Sequence, residues 1–165
     1  ETTILHTTDN QLVAALRSSH VSRIDIAHSR DGGQTWSFPL RLTGPDQFPA
    51  DMLHLSRENW ILLVYTDHSV EEKTIRGVIS KNNGKTWDLI HSNLLFSRPT
   101  RGEFGYPSVA LLPSGRLGVA YYWAGYARNM YDNSKTRLYC TSFMEEEFLQ
   151  AFETISSIPI TPDMR

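Results

Sequence analysis

Cysteine is almost absent: Cys140 is the single one in 165 residues, so no internal disulfide can form and the fold must hold by packing. Charge of one sign is also lacking. The 16 Lys+Arg stand against 18 Asp+Glu, a net charge of −2. So even a balance argues against a nucleic-acid stripe or an anionic-membrane surface. Long apolar runs are missing too. Stretches such as Ile61-Leu62-Leu63-Val64-Tyr65 fall far short of the ~20 residues a membrane span needs. No basic-then-apolar leader is visible, which leaves the compartment open. There is no phosphate-cradling glycine loop and no nucleophile elbow. The histidines at 6, 20, 28, 54, 68 and 91 form no close ligand pair, so neither metal nor cofactor is expected. What remains is 40% apolar residues, enough for one globular domain with a sizeable core.

What the sequence does have is a repeat. Ser29-Arg30-Asp31-Gly32-Gly33-Gln34-Thr35-Trp36 recurs 51 positions later as Ser80-Lys81-Asn82-Asn83-Gly84-Lys85-Thr86-Trp87. Both copies fit Ser-x-Asp/Asn-x-Gly-x-Thr-Trp. Upstream of each copy lies a second match: Asn10-Gln11-Leu12-Val13-Ala14-Ala15-Leu16 parallels Asn59-Trp60-Ile61-Leu62-Leu63-Val64-Tyr65. Gly115-Arg116-Leu117-Gly118-Val119-Ala120-Tyr121 parallels both. Each begins on Asn or Gly, which tolerate the positive φ of a tight hairpin turn.

Each unit reads as a four-stranded antiparallel meander. The apolar runs are short, β-branched and bounded by turn residues. Strands are expected near 2–8, 11–17, 22–29 and 36–42, then 50–56, 60–66, 73–80 and 87–95, then 107–112, 116–123 and 135–143. Met144 to Phe152 reads equally as a helix opened by Glu145-Glu146-Glu147 or as a fourth strand. Radially repeated four-stranded sheets are the blades of a β-propeller. The expectation is an all-β, single partial propeller domain, with blades at about 1–43, 48–96 and 104–152 and a tail at 153–165. Propellers close with roughly 4 to 8 blades. Three units therefore require missing blades in a longer chain or a homodimer that completes the ring. Rows such as Leu12, Ala14 and Leu16, or Ile61, Leu63 and Tyr65, are expected on the bare end faces.

The repeated turn invites a catalytic reading, yet its chemistry is structural. An Asp or Asn side chain caps backbone N–H groups further along the turn. Asn82 stands in the second copy where Asp31 stands in the first. Local hydrogen bonding survives that exchange; carboxylate catalysis does not. The third unit has no such turn, since Phe143-Met144-Glu145-Glu146 follows Ser142.

These turns resemble the Asp-box, or BNR repeat, of the sialidase superfamily. The stretch Glu103-Phe104-Gly105-Tyr106-Pro107-Ser108-Val109 is similar to bacterial BNR-repeat proteins described as exo-α-sialidases or sialidase-like glycosyl hydrolases. The resemblance implies a six-bladed propeller of which this is about half. It also implies a secreted or periplasmic glycoside hydrolase acting on terminal acidic sugars of glycans. A non-catalytic carbohydrate- or protein-binding propeller is the alternative, because function belongs to the site and not to the fold.

In a meander, the boxes and hairpins share one end of each blade. The 2–3 loops and crossovers share the other, around the channel. Tyr106 and Glu103 precede the third inner strand there. The resemblance implies a Tyr–Glu nucleophile pair in which the carboxylate helps deprotonate the phenol. Packing at a blade junction is the other reading of Tyr106. Asp51, at an inner-strand start, is the acid/base candidate or a hydrogen-bond partner of a crossover backbone. Arg17, Arg76 and Arg101 are candidates for gripping a substrate carboxylate through the guanidinium fork. Tyr126 and Arg128 lie in the aromatic loop Trp123–Tyr131, which either stacks on a sugar or covers the blade.

Overall fold

The computed structural model describes residues 1–70, 73–97, 102–125 and 136–156. Two four-stranded sheets and one three-stranded sheet follow one another along the chain. The first orders β1 (Thr2–His6), β2 (Leu12–Arg17), β3 (Ile24–Ser29) and β4 (Leu40–Arg41) side by side. The second orders β5 (Gln47–His54), β6 (Ile61–Asp67), β7 (Thr74–Ser80) and β8 (Asn93–Ser97) likewise. The third holds β9 (Gly102–Leu111), β10 (Arg116–Gly125) and β11 (Thr136–Met144), and α1 (Glu145–Ser156) ends the described chain. Every pairing is antiparallel between chain neighbours, the pattern of an up-and-down meander. The inner strands β1, β5 and β9 sit next to one another, so the sheets are three blades of a partial β-propeller.

The hairpin turns form as their residues demand. Asn10, Asn59 and Gly115 all have positive φ. The outer strands depart from expectation. β4 keeps two residues because Pro39 has no N–H to donate to a ladder. β8 starts at Asn93, not near Trp87, because Asp88 caps a turn, its carboxylate accepting from the His91 N–H at 3.2 Å. From Glu145 on, the helix prevails over the strand, with three glutamates in its first turn. α1 runs on to Ser156, and residues 157–165 of the expected tail lie outside the described residues.

The core lies between blades. Val13, Ala15 and Ile26 of the first blade pack against Met52, Ile61, Leu63, Tyr65 and Val78 of the second. Leu62, Val64, Ile75 and Ile79, on the opposite face of the second blade, pack against Val109, Leu117, Val119 and Tyr121 of the third. All of β6 is therefore buried. This corrects one expectation: Ile61, Leu63 and Tyr65 lie inside the first inter-blade interface and form no bare face. Ala14 and Leu16 do line the outer face of the first blade, in an apolar groove of about 380 Å³ shared with Ile4 and Trp36.

The box of the second blade docks on the first. The Thr8 hydroxyl donates to Asn83 Oδ1 at 2.9 Å, and Lys85 Nζ meets Asp9 at 2.8 Å. Helix α1 does the same work for the third blade, which has no box. Its Glu145 accepts from the Ser56 N–H, its Glu153 pairs with Arg57, and its Phe152 meets the edge of Trp60. The second-blade hairpin is thus covered by a helix where the first-blade hairpin is covered by a turn.

Candidate functional site

At the crossover end of the blades, the three inner strands bring distant residues together. Glu1 precedes β1 and is held by the Arg17 N–H, which donates to its carbonyl at 2.9 Å. Arg17 Nη1 also meets both Glu1 carboxylate oxygens at 2.9 Å. The Tyr106 hydroxyl, 105 positions away, donates to the same carboxylate at 2.5 Å. Arg17 lies 3.8 Å over the Phe48 ring, and Phe48 packs on His68 with ring centroids 5.2 Å apart. A guanidinium, a carboxylate and a phenol thus meet beside an aromatic ring that fixes the guanidinium from one face.

Tyr106 is strained. Its φ is +50°, rare for a bulky side chain, and β10 slips register opposite it, between Ala120 and Tyr122. Gly105 makes this path available. A methyl group there would come within 2.8 Å of Thr66 Oγ1 on the neighbouring blade. Strain of this kind clusters at sites where geometry is functional. The Tyr106 ring remains half exposed, 5.8 Å from that of Tyr122. The hydrogen bond from Tyr106, followed by Arg17, holds the Glu1 carboxyl below its ordinary range. The same bond raises the Tyr106 phenol above its own. The pair therefore rests as carboxylate and neutral phenol, with the proton on the phenol oxygen.

Asp51 lies one step deeper, between the strands. Its Oδ1 accepts from the Thr3 hydroxyl at 3.0 Å and its own strand's Met52 N–H at 2.9 Å. Its Oδ2 accepts from the Ser108 hydroxyl at 3.1 Å and the Val109 N–H at 3.0 Å. One carboxylate therefore ties all three inner strands.

Arg76 is elsewhere. It lies in β7 and pairs with Asp67 in a cleft between the first two blades. Arg17 and Tyr106 are thus brought together, Asp51 is adjacent and Arg76 is apart. The Glu103 backbone lies in β9 opposite Ala124, and its side chain is outside the described part. Arg101, Tyr126 and Arg128 lie outside the described residues. Sequence reasoning missed Glu1 and Phe48. The signal for Glu1 was its place one residue before the first inner strand, opposite Arg17 across the hairpin.

The chain matches the family model of the BNR repeat-like domain over residues 1–119. The solved structures that share its fold include these three. A protein of unknown function from Dyadobacter fermentans is 26% identical, with a TM-score of 0.65 over 86% of this chain and 36% of its own. The GH93 α-L-arabinofuranosidase of Fusarium graminearum, solved with arabinobiose, is 17% identical, with a TM-score of 0.62 over 87% and 44%. The endo-arabinase from Bacteroides thetaiotaomicron is 10% identical, with a TM-score of 0.56 over 88% and 50%. The chain spans half or less of the length of each. A comparison with curated proteins finds no match.

Proposed function

The chain belongs to the BNR repeat-like family, and from that premise we propose that it forms part of a sialidase-like glycoside hydrolase acting on terminal acidic sugars. The observation that carries the reading is the Tyr106 phenol bonded to the Glu1 carboxylate beside Arg17. In a retaining reaction the phenol oxygen attacks the anomeric carbon as the glycosidic C–O bond breaks; the phenol proton passes to Glu1, and the departing aglycone oxygen takes a proton from water. A neutral nucleophile suits an anionic sugar, because it adds no charge repulsion. Arg17 offers the sugar's carboxylate a guanidinium already held over the Phe48 ring. Glu1 sits there first, so substrate exchanges one carboxylate partner for another. Glu103, Arg101, Tyr126 and Arg128 are proposed to complete the same mouth.

The test is turnover by the full-length protein of a fluorogenic sialoside against an arabinofuranoside. Sialoside cleavage that falls at least a hundredfold in Tyr106→Phe supports the reading. Cleavage of the arabinoside alone would assign a neutral-sugar enzyme, as the names of two fold neighbours suggest.

A second reading, glycan binding without turnover, is favoured by Asp51. Its two oxygens already accept four hydrogen bonds, which suits a strand tie better than a proton donor. Saturable glycan binding with no hydrolysis of either substrate is its signature.

A further inference from the structure

The strongest feature outside the channel mouth is the cleft between the first two blades. It encloses about 260 Å³, just under the ~300 Å³ at which pockets for larger ligands begin, and so suits a single small ring. Arg41 from β4 and Gln47, Asp67 and Arg76 from the second blade line it. Asp67 is buried, with 3% of its surface exposed. Its carboxylate accepts from the Ser69 N–H and hydroxyl, from Gln47 Nε2 at 3.1 Å and from Arg76 Nε at 3.2 Å. Arg76 Nη1 donates in turn to Ser92 at 3.2 Å. Asp67 and Arg76 therefore cancel in charge and hold each other still. Arg41 is left as the unmatched cation. Its side chain enters no ion pair or hydrogen bond among the described residues.

The remaining lining suits a polyol with a body. Burial, and then the negative charge of Asp67, push the Tyr65 phenol up to about 12, so it stays a neutral hydrogen-bonding group at any ordinary pH. Leu42 and Leu89 add an apolar wall. Both walls belong to blades packed on each other through Ala15, Ile26, Met52 and Val78, so the cleft is complete within the described residues. It is also separate from the mouth. Gln47 and Asp67 line the cleft, while the next residues in the chain, Phe48 and His68, pack on each other beside Arg17.

We propose that this cleft is a second carbohydrate site, taking one monoanionic sugar ring of the uronate class, with its carboxylate on Arg41 and its hydroxyls toward Tyr65 and the Asp67–Arg76 pair. One unmatched positive charge selects a monoanion. A polar floor with an apolar wall selects a hydroxylated ring over a bare inorganic ion.

Calorimetric titration of the full-length protein with D-glucuronate, D-glucose and inorganic phosphate tests this. Saturable glucuronate binding is expected, at least tenfold tighter than glucose or phosphate. Arg41→Gln, at an exposed position, should weaken it at least tenfold with the melting temperature unchanged. The binding event that Arg41→Gln weakens should persist within twofold in Arg17→Gln, whatever binding the channel mouth loses, which separates this site from the mouth whatever the fate of the glycosidase reading. Absence of saturable glucuronate binding would overturn the proposal. So would an affinity indifferent to Arg41→Gln, or one lost in Arg17→Gln. Phosphate binding as tight as glucuronate would overturn the ring specificity and leave an anion site alone.

Discussion

Lys85 in the second-blade turn reaches back to Asp9 in the first-blade hairpin, with 2.8 Å between ammonium and carboxylate. The pair is exposed, and such pairs contribute only ~0–1 kcal/mol. Its interest is positional. It marks where the turn of one blade seats on the hairpin of the one before, with Gly84 closed over Val13 and Asn83 buried beside Asn59. The corresponding first-blade residues, Gly32 and Gly33, meet no hairpin among the described residues and are more exposed there.

Gly84→Ala tests that seating. Gly84 has φ +79°, and an added Cβ would lie 2.9 Å from Val13 Cγ2. Gly32 has φ +69° with nothing within 4 Å of an added Cβ. Both substitutions carry the left-handed penalty of about 1–2 kcal/mol. Only Gly84→Ala also forces two blades apart, which adds about 1–3 kcal/mol. Chemical denaturation of the two variants should show that difference. Equal losses would mean that the seating adds nothing.

Asp31 predicts a pH dependence. Its carboxylate accepts from the Thr35 hydroxyl at 2.6 Å, the Thr35 N–H at 2.9 Å and the Ser29 hydroxyl at 2.8 Å. Those bonds, the Thr35 hydroxyl first, lower its pKa from 3.8 to about 2. A depressed acid stabilises the fold above its unfolded pKa, and that contribution fades as pH falls from about 4 toward 2. Asp31→Asn should flatten this part of the stability profile while keeping the turn. Asn82 shows how: its Oδ1 accepts from the Thr86 N–H and its Nδ2 donates to the Thr86 hydroxyl, both at 2.8 Å. An unchanged profile in Asp31→Asn would remove the turn carboxylate as the source.

Such local chemistry is what the sequence makes legible. The turns and hairpins are written in contiguous Asn, Gly and Asp residues, so the repeat, the blade number and the propeller follow from spacing alone. α1 is less legible, because Glu145-Glu146-Glu147 supports a helix start while the preceding β11 pattern runs straight into it. The site is least legible. Glu1 and Tyr106 are joined only when three inner strands converge, and no short-range pattern encodes a contact across 105 positions. Asp51 shows the same limit: its place at an inner-strand start is readable, whereas its four partners on three strands are not.

Asp51→Asn separates tie from catalyst. An amide has one accepting oxygen, so at least one donor pair, Thr3 and Met52 or Ser108 and Val109, faces an NH₂ group. The expected cost is about 1–3 kcal/mol in thermal or chemical denaturation. A variant of native stability with abolished turnover would instead assign Asp51 to proton transfer.

Tyr106→Gly should reveal strain held for function. Glycine adopts φ +50° freely, and the phenol it removes is half exposed. The variant is expected to melt at or above the temperature of the parent while losing its activity or binding at the channel mouth. A large drop in melting temperature would show that Tyr106 is there to pack on Tyr122.

The last expectation concerns association. The outer face of the first blade exposes Ile4, at 54%, beside Leu16 and Trp36 along the apolar groove. Contiguous apolar patches beyond a few hundred Å² are rare on soluble monomers. The 165-residue chain, prepared alone, should therefore self-associate at micromolar concentration and bind a hydrophobic dye. It should also fail to turn over glycosides, since the three described blades line only part of a channel. Ile4→Asp should reduce both association and dye binding, with little effect on the melting temperature, because that side chain lines the groove and is half exposed. Sedimentation velocity decides the matter: a monomer across the concentration range, silent to dye, would show that Trp36 and its neighbours already shield the face.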